Sequence, residues 1–157
     1  MATDGASIRR ALPGEADLLT ALTLRSKAYW GYDREFMEAA TAELTFRPEK
    51  YPGLEVYVLE TGTRVVGFCS LIPRSAVEVE LDALFVEPDS IRYGYGKTLW
   101  DYAVLRAREL GFEEMTFTSD PHAEGFYRER GAEKVGEKAS NITPSRVLPF
   151  MRYRLSK

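Results

Sequence analysis

The sequence predicts an α/β (α+β) domain whose mixed, largely antiparallel central sheet has about seven strands, with helices on both faces. Three observations lead there. Residues 54–60 and 64–73 are apolar, β-branched runs joined by the tight turn Thr61-Gly62-Thr63, which makes them a hairpin. The connection at Arg74-Ser75 is short, so the alternating run that begins at Val77 pairs antiparallel with that hairpin. From Val77 to Thr118 the order then changes to strand, glycine turn, helix, strand. A helix between two strands makes a crossover that leaves them parallel or splayed.

Taken in order, residues 1–5 read as a frayed end and residues 7–11 as a short strand. Pro13, Gly14 and Glu15 lead into a helix with an apolar stripe of Ala16, Leu18, Leu19, Leu22 and Leu24, ending near Gly31. A second helix runs from Asp33 or Arg34 towards Leu44, with Phe36, Met37, Ala40 and Leu44 inward and Asp33 as N-cap. The junction Tyr29-Trp30-Gly31-Tyr32 is dense in aromatics. It is read as core packing or, beside a substrate pocket, as its wall, which makes Tyr29, Trp30 and Tyr32 the candidate substrate-binding residues.

Pro48, Pro52 and Gly53 mark a loop before the hairpin. In the strand after it, Val77, Val79, Leu81, Ala83 and Phe85 alternate with Glu78, Glu80, Asp82, Leu84 and Val86, and a strict period of two sends these sets to opposite faces. A polar link, Glu87 to Ser90, precedes Gly94-Tyr95-Gly96-Lys97, after which Leu99, Tyr102, Ala103, Leu105 and Arg106 recur at helical spacing. That helix ends near Leu110-Gly111. Residues 113–118 form a strand, residues 123–130 a short helix stopped by Gly131, and residues 132–138 another strand. A polar loop with Pro144 leads to residues 148–155, which close the sheet.

Composition narrows the function. The 157 residues suit one domain, residues 1–157, with a hydrophobic core. A net charge of −3 advertises no broad basic surface, so no nucleic-acid partner is expected. No apolar run approaches a membrane-spanning length and no signal-peptide core begins the chain, so no membrane partner is expected either. The lone Cys69 lies in an apolar strand and reads as a buried, inert thiol, which fits a cytoplasmic location. With one cysteine and one histidine, His122, no metal site is expected.

The glycine turn has a physical use. The first N–H groups of a helix lack intrahelical partners and sit at the positive end of its dipole. Gly94 and Gly96 let an anion approach them without a Cβ in the way, and Lys97 adds positive charge, which suits a phosphate or pyrophosphate. A plain glycine-rich turn before a helix is the other reading.

Two motifs together resemble the GNAT superfamily of acyl-CoA-dependent N-acyltransferases. The first is L-F-V-x-P-x-x-I-R-x-G-x-G-K-x-L at residues 84–99, similar to that family's cofactor motif. The second is D-P-H-A-E-G-F-Y-R-E-R-G-A at residues 120–132, similar to its N-x-x-A-x-x-x-Y-x-x-x-G-F block. The element order agrees over nearly the whole chain. The sequence departs from the pattern where Ile91 takes the usual glutamine or arginine position, with Arg92 one place on, and where Asp120 replaces the asparagine.

The resemblance implies acetyl-CoA as co-substrate, lying across a splay between the Val77 strand and the Glu113 strand. Its pantetheine arm is expected along the backbone of Leu84, Phe85 and Val86, like an added strand. Its pyrophosphate is expected on the N–H groups of Arg92, Tyr93, Gly94, Tyr95, Gly96, Lys97 and Thr98, with Asp120 and Phe126 as further cofactor contacts. Tyr127 matches the family tyrosine that donates a proton to the departing sulfur, and Glu80 aligns with a family base.

Acyl transfer to an amine needs a proton acceptor, a polarised carbonyl and a proton for the leaving thiolate. Glu80 and Asp82 are both candidate bases, since neighbouring carboxylates raise one another's pKa. With Glu78 they also read as a solvated acidic face. The carbonyl is expected to meet a backbone N–H, of Leu84 or Val86. The expected reaction is N-acetylation of a small amine-bearing substrate by direct attack, and a non-catalytic acyl-CoA sensor or scaffold is the alternative. A dinucleotide-binding Rossmann domain is excluded because its glycine motif follows an early parallel strand. The loop at residues 139–148, with Arg146, is open to shaping the pocket or to a homodimer contact.

Overall fold

The computed structural model describes residues 5–143 and 145–156. Most of the expected frayed end, residues 1–4, and Pro144 of the expected loop lie outside the described residues.

Seven strands form one sheet in the order β1-β2-β3-β4-β5-β7-β6. They are β1 (Ala6–Arg10), β2 (Glu55–Thr61), β3 (Arg64–Pro73), β4 (Glu78–Val86), β5 (Glu114–Thr118), β6 (Glu133–Ala139) and β7 (Val147–Arg154). Every neighbouring pair is antiparallel except β4 and β5. Among the described residues four α-helices accompany them: α1 (Ala16–Ala28), α2 (Arg34–Leu44), α3 (Tyr95–Glu109) and α4 (Glu124–Glu129). The mixed, mainly antiparallel sheet with helices on both faces is the architecture the sequence predicts.

The sheet is buried on both sides because its central strands are apolar at successive positions. In β2 the pleat sends Tyr57 and Leu59 to one face and Val56 and Val58 to the other. The first pair joins Leu99, Ala103 and Ala107 of α3, and the second joins Leu19 and Leu22 of α1. Each fully buried leucine here contributes about 1.5–3 kcal/mol. The inward stripe of α1 is Leu19, Leu22 and Thr23, whereas the expected Leu18 is exposed. Spacings of three and four place those three on one face, and Leu18 falls a turn's fraction away. The buried Thr23 hydroxyl donates to the Leu19 carbonyl at 2.8 Å. Asp33 caps α2 as expected, its Oδ1 accepting the Phe36 N–H at 2.8 Å.

β4 departs from strict alternation. Ser70 faces Ala83 but Leu71 faces Leu81, so Asp82 is an extra residue without a partner in β3. Val79 and Leu81 pack on the α3 side, after which Ala83 and Phe85 pack on the α1 side and Leu84 and Val86 on the α3 side. The expected single face from Val77 to Phe85 is thereby corrected. A β-bulge advances the pleat by one residue, and every side chain beyond it changes face.

The parallel pairing of β4 with β5 is brief: Glu78 with Glu114, Val79 with Met115 and Glu80 with Thr116. β5 goes on pairing with β7 as far as Thr118. Beyond Glu80, β4 keeps β3 on one side and, among the described residues, has no strand on the other.

Candidate active site

The splay opens towards the glycine turn. A 3-10 turn, Pro88–Tyr93, ends in Gly94, whose φ of 75° is left-handed and favours glycine. α3 begins at the next residue, and the Thr98 N–H already donates to the Gly94 carbonyl at 3.1 Å. The N–H groups of Tyr95, Gly96 and Lys97 are therefore the ones left at the positive end of α3. A Cβ at Gly96 would sit 3.4 Å from Phe126 Cε1, so the Phe126 ring of α4 lies against the start of α3. Tyr95 is buried and stacks on the exposed Tyr93, ring centroids 5.6 Å apart. Arg92 is exposed, and Lys97 reaches outward to Asp101 at 2.8 Å. The turn is pinned from behind. The buried Glu87 takes the guanidinium of Arg25 on α1 (2.9 Å from Nε), and its N–H donates to the Val66 carbonyl at 2.8 Å.

The three acids of β4 meet different partners. Glu78 accepts the Thr116 hydroxyl at 2.7 Å. Glu80 is held by the Arg74 guanidinium, with Nε at 2.7 Å. Asp82, on the bulge, accepts only the Ser70 hydroxyl, at 3.2 Å. Asp82 is exposed and lines a cleft of about 140 Å³. Burial, then the charge of Glu80, push the Asp82 carboxyl up from its ordinary value, against the opposing pull of Ser70 and Arg74. The cleft lies between the sheet residues Phe68, Ala83 and Phe85 and the segment that follows α2, including Phe46, Arg47 and Lys50.

On the other side of the sheet, Tyr127 is 8% exposed and packs against Phe117 of β5 (ring centroids 4.5 Å) and Trp100 of α3 (5.6 Å). Burial, then the neighbouring Cys69 and Asp120, raise its pKa, and no side-chain hydrogen bond contributes. Its phenol is thus held protonated with its proton uncommitted. Cys69 is fully buried in β3, and burial pushes its thiol up to about 12, which keeps it an inert core residue.

Asp120 gathers a polar cluster that sequence reasoning did not foresee. Lys27 of α1 donates to its Oδ2, and the Tyr32 hydroxyl donates to the same oxygen at 2.8 Å. The His122 N–H donates to Oδ1 at 2.9 Å. Arg146, from the β6–β7 loop, donates to the Tyr32 hydroxyl and lies over the Tyr32 ring at 4.8 Å. Burial pushes the Asp120 carboxyl up, but Lys27, His122 and Tyr32 outweigh it and hold it well below the usual range. The candidate aromatics come together here rather than at the cleft. Trp30 stacks on His122 with centroids 5.0 Å apart, Tyr29 meets Trp30 edge-on, and Tyr32 stacks on Phe36 at 4.1 Å.

The structure thus brings Leu84, Phe85 and Val86 to the open edge, and Tyr95, Gly96, Lys97 and Phe126 to the helix start beside it. Sequence reasoning missed Ser70, Phe46, Arg47, Lys50 and Lys27. Nothing in local pattern joins Arg47 to Asp82, because only the fold puts the segment after α2 and the β4 bulge on one cleft.

The sequence model of the acetyltransferase (GNAT) family matches residues 22–132. Among solved structures, a GCN5-related N-acetyltransferase from Rhodopseudomonas palustris superposes with a TM-score of 0.78 at 21% identity, covering 98% of each chain. The PaiA N-acetyltransferase of Thermoplasma acidophilum, in complex with coenzyme A, has a TM-score of 0.77 at 16% identity, covering 95% of this chain and 98% of that one. A GNAT family acetyltransferase from Elizabethkingia anophelis with acetyl-CoA bound has a TM-score of 0.67 at 14% identity, covering 97% and 99%. At these identities the likeness is one of fold. Comparison with curated protein sequences finds no match.

Proposed function

The chain belongs to the GNAT acetyltransferase family, and from that premise we propose that it is an N-acetyltransferase moving an acetyl group from acetyl-CoA to a primary amine by direct attack within a ternary complex. The observation that carries the reading is the open edge of β4. From Leu81 to Val86 its β5-facing side has no strand partner among the described residues, and the free N–H groups of α3 lie at the end of that gap. An extended arm ending in a pyrophosphate fits both features together.

In this reading the backbone of Leu84, Phe85 and Val86 pairs with the pantetheine arm, and Phe126 lies beside it. The N–H groups of Tyr95, Gly96 and Lys97 receive the pyrophosphate, with Arg92 and Lys97 supplying charge. The acceptor amine enters by the cleft on the α1–α2 side and reaches the sheet at Asp82. Asp82 takes a proton from the amine, and the Leu84 or Val86 N–H polarises the thioester carbonyl. The new N–C bond forms as the C–S bond breaks, and the departing sulfur takes the Tyr127 proton. The products are an amide and free coenzyme A.

The contrast between Asp82 and Glu80 supports the choice of base. Glu80 is neutralised by Arg74, whereas Asp82 carries a raised pKa and faces the cleft. A carboxylate whose pKa is raised is the stronger base of the two. Burial keeps the Tyr127 phenol protonated, so it has a proton to give to a departing thiolate. Asp120, ionised and saturated by its own partners, acts here as the tie between α1 and the end of β5.

Calorimetry with acetyl-CoA, coenzyme A and NAD tests the reading. Selective binding of the two coenzyme A species, followed by amine-dependent thiol release, is expected. Binding of NAD alone, or of none of the three, would overturn it.

A further inference from the structure

We propose that the acceptor is a primary amine carrying an anionic group on an apolar or aromatic body, held in the cleft with its amine at Asp82 and its anion at Arg47 and Lys50. This rests on reading that cleft as the acceptor site.

The cleft has two walls of opposite character. The sheet side presents Asp82 from the β4 bulge, and the facing side presents Glu43 near the end of α2 with Arg47 and Lys50 after it, two cations to one acid. Among the described residues neither cation enters an ion pair. By contrast, Arg74, just beyond β3, holds Glu80. The Lys50 ammonium and the Arg74 guanidinium both flank the Tyr51 ring, at 6.0 and 5.9 Å from its centroid. Since Glu80 meets the Arg74 charge, Lys50 is the cation beside Tyr51 that has no ion pair among the described residues.

Between the two walls the lining includes the aromatic Phe46, Phe68, Phe85 and Tyr51 rings, beside the hydroxyls of Thr23 and Thr45. Phe46 and Phe68 meet edge to face at 6.0 Å, and Phe68 in turn contacts Phe85 at 5.9 Å. An acceptor with two amines would add a cation to a wall where Arg47 and Lys50 already outnumber Glu43, which disfavours it. A neutral amine would leave them without a counter-ion. An amine with an anion at its far end satisfies both walls, and a guanidinium and an ammonium suit either a carboxylate or a phosphonate.

The test compares acceptors that share one body. The protein is first titrated with coenzyme A, and acetyl transfer is then followed with benzylamine, 4-(aminomethyl)benzoate and 4-(aminomethyl)phenylphosphonate. We expect kcat/KM for one or both anionic amines to exceed that for benzylamine at least tenfold. In the double variant Arg47→Gln, Lys50→Gln that ratio should fall at least fivefold. The preferred anion tells carboxylate from phosphonate.

Equal or better use of benzylamine, no transfer to any of the three by a protein that binds coenzyme A, or an unchanged ratio in the double variant would overturn this inference and leave the acetyltransferase reading standing. Absence of coenzyme A binding would overturn that reading, and this inference with it.

Discussion

The Ser70 hydroxyl donates to the Asp82 carboxylate at 3.2 Å across the one place where β3 and β4 slip register. That hydrogen bond favours the ionised acid, while burial and Glu80 oppose it more strongly and leave the pKa raised. Only the ionised form accepts a proton, so kcat/KM should rise with pH along an acid limb above the ordinary aspartate value. Ser70→Ala removes the opposing hydrogen bond and should move that limb to still higher pH. Asp82→Asn should abolish the limb and lower turnover by about 10²–10⁴-fold, the usual worth of a positioned base. A pH–rate profile retained in Asp82→Asn would transfer the role to another group.

Tyr127 sits on the opposite side of the splay, packed against Phe117 and Trp100. Tyr127→Phe keeps that packing and removes only the hydroxyl. Turnover should fall while coenzyme A affinity and melting temperature stay close to those of the parent. The effect should be largest for poor leaving thiolates, because the phenol supplies the proton they need. Turnover equal to the parent's would remove Tyr127 from the chemistry.

Much of this site is written in local pattern. Gly94 and Gly96 announce the turn, and Asp33 announces the start of α2, because each acts within a few residues of itself. The bulge at Asp82 is not local. It arises from how β3 and β4 settle against two cores at once, and it decides which acid faces the cleft. The aromatic junction taught a similar lesson. Tyr29, Trp30 and Tyr32 were legible as a cluster, but their partners Asp120, His122 and Arg146 lie about ninety or more positions on. Only the folded sheet brings the end of β5 and the β6–β7 loop to them.

The two glycines of the turn should respond differently to substitution. Gly94 holds a left-handed φ of 75°, and an L-residue there costs about 1–2 kcal/mol. Gly94→Ala should therefore lower the melting temperature and also displace the N–H groups that begin α3. At Gly96 an alanine methyl would meet Phe126 at an ordinary 3.4 Å, so Gly96→Ala should fold nearly as well as the parent. Gly96→Leu should push Phe126 aside and cut coenzyme A affinity, read by calorimetry. Unaltered affinity in Gly96→Leu would argue against a cradle at this helix start.

Lys27 and Asp120 form the most enclosed ion pair at the site, their side chains 12% and 13% exposed. Replacing one partner leaves the other charge without compensation, so Lys27→Met should destabilise the fold by roughly 3–5 kcal/mol. The pH dependence has a definite sign. Lys27, His122 and Tyr32 depress the Asp120 pKa below its unfolded value. Its contribution to stability is therefore complete above about pH 4, the unfolded range of an aspartate, and is lost as pH falls through the folded value. Denaturant unfolding of the parent should show stability declining on acidification below that range. Lys27→Met should show a smaller decline, because less stabilisation remains to be titrated away. Equal acid slopes in parent and variant would mean that the pair contributes geometry without stability.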